Sequence, residues 1–227
     1  MNSIQKNKSL WQDLHKHLQF RTRYPHERVI QFVFGNFPRK NSNKFKILDH
    51  GSGAGRHVVF LAENGYQAYG ADISSTGNAF TRKITKIRNL SVNVSLIDSN
   101  ILKYADNFFD GIISFGVLYY LNSKQLDVVI PDLYRILKRE GKMLVVLRSR
   151  RDYRFKHAKS IGHGDYIIVG DNKTRVNNEK NMLMHFFTEK EIRKRFHKFK
   201  RITIDEMVNT YNNKEMVDYD FVVELKK

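Results

Sequence analysis

The residues best suited to chemistry lie in one short run, Asp49-His50-Gly51-Ser52-Gly53-Ala54-Gly55. Glycines at alternate positions let the backbone turn tightly and approach a ligand at the start of a helix. A dinucleotide-binding turn would follow G-x-G-x-x-G and seat a pyrophosphate, but Arg56 and Val58 stand where the third glycine belongs in the two possible frames. What is present is an acid, Asp49, two residues ahead of the glycines. A carboxylate there suits a cationic group, through charge attraction and water-bridged hydrogen bonds. Two more acids recur at equivalent places. Asp72 ends a second apolar run, where it can accept from both hydroxyls of a ribose, and Asp98, with Ser99 and Asn100, ends a third, where it can accept from an adenine amino group. A single acid of this kind would be read as a helix N-cap. Three in register with a glycine turn describe a site for a positively charged nucleoside.

Proton removal from an acceptor calls for a positioned base, most often a histidine. His157, His163 and His185 fall in the polar stretch 148–187, and His26 lies near the N-terminus. Of these His163, in Gly162-His163-Gly164-Asp165, is the best candidate, since Asp165 can orient its ring. Arg148, Arg150, Arg151 and Arg154 follow the fifth apolar run, with Lys156 and Lys159 after them. Guanidinium forks bind phosphate bidentately, so this group predicts a phosphorylated or nucleotide-linked small molecule as partner. The basic residues between 190 and 201 read as a solvated helix face.

Strand-length apolar runs alternate with helical patterns, the signature of βαβ units and a parallel sheet. Strands are expected at 44–50, 67–73, 92–98, 109–115 and 143–147, and helices at 56–64 and 75–88. A helical pattern over 126–137 is expected to kink or restart at Pro131, and Gly141 to close it. Residues 148–187 lose periodicity and read as a loop-rich, substrate-binding insertion. Thr188 and Glu191 form a capping box ahead of a short helix. Two strands joined by the polar turn 212–214 close the chain. The expected architecture is an α/β Rossmann-like three-layer sandwich, its seven-stranded sheet mostly parallel with an antiparallel C-terminal strand. Residues 1–40 form a helical cap with Leu10, Trp11, Leu14 and Leu18 on one stripe, and 41–227 form the main domain.

Composition narrows the chemistry further. The 227 residues contain no cysteine, which excludes disulfides, cysteine-held zinc, iron–sulfur clusters and any mechanism that needs a thiolate. No metal site is expected. No apolar run is long enough to span a membrane, and the polar N-terminus reads as neither signal nor anchor, which predicts a cytoplasmic protein. A formal net charge of +17 favours polyanionic encounters, RNA included.

The segment 45–147 resembles the core of class I S-adenosylmethionine (SAM)-dependent methyltransferases: ILDHGSGAGRH as the glycine motif, YGADIS as the ribose-acid motif, LIDSNI as the adenine motif, then FDGIISFGVLYYL and LYRILKREGKMLVV. The resemblance implies SAM as cofactor, S-adenosylhomocysteine (SAH) as product, and Asp49, Gly51, Ser52, Gly53, Gly55, Asp72, Ile73, Asp98, Ser99 and Phe115 as its contacts. It also implies that Tyr119 and Tyr120 lie where side chains face the transferred methyl group. His50 and Ser52 depart from the family pattern, in which an aliphatic residue and often a cysteine stand. The stretch Ser114-Phe115-Gly116-Val117 lacks the arrangement of methylases acting on exocyclic amines of bases, which disfavours that chemistry. Tyr24-Pro25-His26-Glu27 and His185-Phe186-Phe187-Thr188 are similar to stretches of small bacterial methyltransferases acting on polysaccharide or sugar precursors, which implies O-methylation of a small polar acceptor and sets Tyr24 beside it. An RNA methyltransferase and a non-catalytic SAM-binding protein are the alternatives.

Overall fold

A computed structural model describes residues 3–97, 101–170 and 179–227. Asp98 and Ser99, expected at the adenine, lie outside these residues. Five strands, β1 (Lys46–His50), β2 (Gln67–Asp72), β3 (Val92–Leu96), β4 (Phe109–Phe115) and β5 (Leu137–Arg148), pair in parallel. Helices α3 (Arg56–Glu63), α4 (Ser75–Ile87) and α5 (Ser123–Ile136) connect them. The C-terminal strands β9 (Arg201–Tyr211) and β10 (Met216–Lys226) complete a seven-stranded sheet of order β3-β2-β1-β4-β5-β10-β9, with β10 antiparallel to both neighbours. Asn212, Asn213 and Lys214 take positive φ between them, the backbone the polar turn requires.

Alternation along the central strands divides the core. Leu48 and Ile112 face a cluster with Leu126, Val129 and Leu133 of α5, while Ile47 and Ile113 face one with Val58 and Leu61 of α3 and Phe32 and Val33 of α2 (Glu27–Asn36). Strand order reverses between β1 and β4, so the loops leaving their carboxyl ends diverge to opposite faces and open a crevice.

Four expectations change. Helix α5 runs unbroken through Pro131. Burial of Leu126, Val129, Ile130, Leu133 and Ile136 along its face outweighs the roughly 3 kcal/mol a mid-helix proline costs. The chain then passes directly into β5 at Leu137, six residues ahead of the expected start at Met143, and Glu140 rather than Gly141 takes the positive φ of the irregular turn inside it. Residues 148–187 are no simple loop: β6 (Ala158–Gly162), β7 (Asp165–Ile168) and β8 (Leu183–His185) form a small antiparallel sheet. Ile168, Met184, Phe186 and Phe187 carry it into the main core. At the N-terminus α1 (Ser3–Leu14) forms, but Leu18 is 81% exposed in a separate 3-10 turn, so the apolar stripe ends before it.

Among the described residues no helix is long and apolar enough to cross a membrane.

Candidate functional site

The glycine turn is built by positive-φ backbone at Gly51, Gly53 and Gly55 (φ +74, +52 and +84). A methyl group on Gly51 would come within 2.1 Å of Val117 Cγ2, so the turn packs too tightly against the β4 exit for any side chain. Gly51 N–H donates to Ala71 O (2.7 Å), and Gly53 N–H to Asp72 Oδ2 (2.8 Å). Asp72 Oδ1 accepts from Ser74 N–H (2.7 Å), so this carboxylate locks the turn to the end of β2. Burial pushes its pKa up to about 6 against these stabilising hydrogen bonds.

Above the strand tips lies a cavity of about 460 Å³, lined by Gly51, Gly53, Asp72 and Ile73 on one side and by Leu102, Gly116, Val117, Tyr120, Leu121, Gln125 and Val129 on the other. Its size suits a nucleotide-sized ligand. Helix α1 and the residue after it cover the opening with Asn7, Lys8, Trp11 and His15. Asn7 Nδ2 donates to Tyr120 O (2.9 Å), and Trp11 meets the Tyr120 ring edge-on at 5.0 Å. His15 Nδ1 contacts Ser74 Oγ (2.9 Å), and burial together with Arg21 lowers its pKa to about 4. His50 also lines the cavity, with Nδ1 on Ser114 Oγ (3.1 Å) and a pKa that burial lowers to about 4. Both imidazoles are therefore neutral at pH 7.

Residues 48–145 match the family model described as a methyltransferase domain. The fold carries the comparison beyond that segment: a SAM-dependent methyltransferase from Methanosarcina mazei superposes with a TM-score of 0.66 at 21% identity, over 81% of this chain and 92% of that one. The match gives residues 48–145 as a methyltransferase domain, and the superposition gives the chain the fold of a SAM-dependent methyltransferase. Its sequence is similar to the probable SAM-dependent methyltransferase TehB of Haemophilus influenzae, 28% identical over 47% of this chain and 37% of that protein. It is also similar to the ubiquinone/menaquinone biosynthesis C-methyltransferase UbiE of Rhizobium etli, 31% identical over 51% of this chain and 45% of that protein. The match spans less than half the length of either curated relative. Neither is named for a sugar acceptor.

Family and fold imply SAM as the cofactor of this methyltransferase domain, and the residues present fit it. Asp49 is 1% exposed, and its Oδ2 has no hydrogen-bond partner in the protein, leaving a buried acceptor beside the glycine turn. Its Oδ1 lies 3.4 Å from His57 Nδ1. Gly51, Gly53, Asp72 and Ile73 line the cavity; Asp49, Ser52 and Gly55 support the turn without lining it. Phe115 does not line it either. Alternation along β4 turns its ring to the other face of the sheet, against His26 (4.5 Å) and His57 (5.6 Å) with Arg56 over it, and the next two residues meet the cavity instead.

The other residues singled out in the sequence disperse. His163 is exposed in the β6–β7 turn with φ +56, and Asp165 orients His185 instead, at 2.6 Å from its Nδ1. Tyr120 lines the cavity, whereas the Tyr119 hydroxyl, buried, accepts from Arg148 Nη2 (3.0 Å). Tyr24 is 73% exposed and lines no part of the cavity. The arginines do not form a phosphate site. Arg148 pairs with Asp152 (2.7 Å) and Asp220 (3.0 Å), Arg154 with Asp218 (2.7 Å) and Glu179, and Arg151 with Glu206, while Arg150 points to solvent. Acids distant in sequence neutralise them, which a run of arginines alone does not reveal. Asn7, Trp11, His15 and Gln125 were not legible as site residues. Trp11 sits on the apolar stripe of α1, and that stripe was the one signal available.

Proposed function

We propose that this protein transfers a methyl group from SAM to the hydroxyl of a small acceptor. The observation that carries this reading is the cavity at the reversal point of the sheet, bounded on one side by Gly51, Gly53 and Asp72 and roofed on the other by α1. Gly51, Gly53, Asp72 and Ile73 would hold the cofactor, with the unpartnered Asp49 oxygen available to its ammonium group through water. When bound, SAM supplies an electrophilic methyl group on a sulfonium. The remaining task of the protein is alignment and exclusion of water, which a roof carrying Trp11 and a wall of Leu102, Leu121 and Val129 favours. A phosphate on the acceptor loses support, because Lys8 is the one cationic side chain lining the cavity among the described residues. A weakly polar hydroxyl compound fits that lining better than a phosphorylated one.

Trp11 is the single tryptophan of the chain, so its fluorescence reports on the cavity directly. Titration with SAH is expected to change that emission saturably. Labelled SAM incubated with a panel of phenols, sugars and nucleotide-sugars is expected to label a hydroxyl compound. No fluorescence response and no calorimetric heat from a folded sample would sink the cofactor reading. Labelling of carbon or nitrogen positions alone would sink the hydroxyl assignment.

A further inference from the structure

We propose that Tyr120 and Glu179 are the proton-accepting pair of this site, Tyr120 receiving the proton of the acceptor hydroxyl as it passes its own to Glu179. The pair rests on the methyl-transfer reading above. Tyr120 lines the cavity, and its hydroxyl donates to Glu179 Oε1 at 2.5 Å. Its ring is held by Trp11 at one edge, and its carbonyl by Asn7, whose own Oδ1 accepts from Leu183 N–H (3.3 Å).

The other polar side chains of the cavity are engaged elsewhere or ill placed to take a proton. Asp72 already serves two backbone N–H groups, and Gln125 Oε1 accepts from Asn122 N–H (3.0 Å) in the cap of α5. A proton on His15 or His50 would create a buried imidazolium, beside Arg21 in the first case. Glu179 differs in what lies behind it. Its Oε2 accepts from Arg154 Nε, and Arg154 and Arg148 together face Asp152, Asp218, Asp220 and Glu179 itself. Two guanidinium groups thus oppose four carboxylates, and a proton arriving at Glu179 relieves an excess of negative charge rather than adding a buried cation. Glu179 keeps 13% exposure of its side chain, which gives the proton an exit to water.

The step balances. As the acceptor oxygen bonds to the methyl carbon, the carbon–sulfur bond breaks with its electron pair left on sulfur. The acceptor O–H proton moves to the Tyr120 oxygen, and the Tyr120 proton moves to Glu179 Oε1. Tyr120 is a neutral phenol before and after. Burial and the neighbouring Glu179 carboxylate hold its pKa well above 10, which keeps phenolate out of the sequence.

The test has one arm that needs neither cofactor nor acceptor. In protein labelled at tyrosine 13Cζ, the resonance missing from Tyr120→Phe belongs to Tyr120. Glu179→Gln is expected to start its titration at lower pH, and an unchanged titration would overturn the pairing. The second arm uses labelled SAM and the panel of hydroxyl compounds. Both variants are expected to lose roughly a hundredfold in kcat, with KM and SAH affinity within about twofold of the wild type. Wild-type kcat in a Glu179→Gln sample that binds SAH would overturn the proposal, and so would transfer to no hydroxyl compound by a wild type that binds SAH. Failure of the wild type to bind SAH would instead bring down the underlying reading, while the NMR arm still decides the pair.

Discussion

Gly51 shows how narrowly one residue controls this site. Its φ of +74 excludes ordinary side chains, and a Cβ there would lie 2.1 Å from one Val117 methyl and 2.8 Å from the other. Gly51→Ala is expected to cost about 2–4 kcal/mol, from left-handed strain plus overpacking, and to lower SAH affinity in calorimetry by at least tenfold. Wild-type affinity and melting temperature in that variant would mean that the turn is not rigid. Asp72 gives a prediction in pH. Its pKa stands near 6, above the ordinary carboxylate range, so the ionised form that accepts hydrogen bonds is complete only above that value. SAH affinity is expected to fall as pH drops through 6, whereas Asp72→Asn binds weakly at pH 7.5 and loses the pH dependence. A flat wild-type profile between pH 5 and 8 would remove Asp72 from cofactor binding. At this scale the glycine turn was legible because its spacing is local, and its glycines take the positive φ that the motif predicts. Phe115 was not placed correctly, since the face a strand residue takes depends on a register that only its neighbours β1 and β5 set.

Elements are joined here by buried charge as much as by apolar contact. His185, at the end of β8 and fully buried, has Nδ1 2.6 Å from Asp165 of β7 and Nε2 2.7 Å from Glu191 of α6 (Glu189–Arg195). Arg195 of the same helix also binds Glu191 (2.7 Å), and Asp165 accepts from Ser123 N–H (3.0 Å) at the start of α5. Both ring nitrogens must donate, so the geometry calls for imidazolium, and the two carboxylates raise its pKa above 6.5 against the opposing effect of burial. A raised folded-state value contributes stability fully below about 6.5 and loses it as pH climbs through the folded pKa. Glu191, lowered in the fold, behaves oppositely and loses its contribution as pH falls below its unfolded value near 4.5. His185→Gln is expected to cost roughly 2–4 kcal/mol near pH 6, with the difference in melting temperature narrowing by pH 9. A difference that is constant with pH would mean that His185 is neutral throughout. Capping explains why α6 was readable and its role was not: Thr188 Oγ1 accepts from Glu191 N–H as the S/T-x-x-E pattern predicts, but the Glu191 side chain turns away to His185 and Arg195. The expected strands at 67–73 and 109–115 held within one residue because they are regular, apolar and bounded by glycine or polar turns. The small sheet β6–β8 escaped because its strands are short and its burial is supplied by distant aromatic residues.

At the scale of the whole molecule, the charge and the cavity make separate statements. A net charge of +17 creates a field that draws polyanions from solution, but four carboxylates consume Arg148 and Arg154, and the cavity receives one cationic side chain among the described residues. Surface charge of this kind binds nucleic acid through counterion release without selecting an acceptor atom. Bulk RNA is therefore expected to retard the protein in gels at 50 mM salt and to release it by about 200 mM, because log affinity falls in proportion to the number of phosphates neutralised. If that binding involves only the outer surface, saturating RNA leaves the SAH response of Trp11 unchanged and labelled SAM transfers nothing to RNA. Competition between RNA and SAH, or retention of RNA above 200 mM salt, would place the polyanion at the cavity mouth. In that case Lys8 and the rim of α1 become the residues to mutate, and the small-acceptor reading gives way to an RNA methyltransferase.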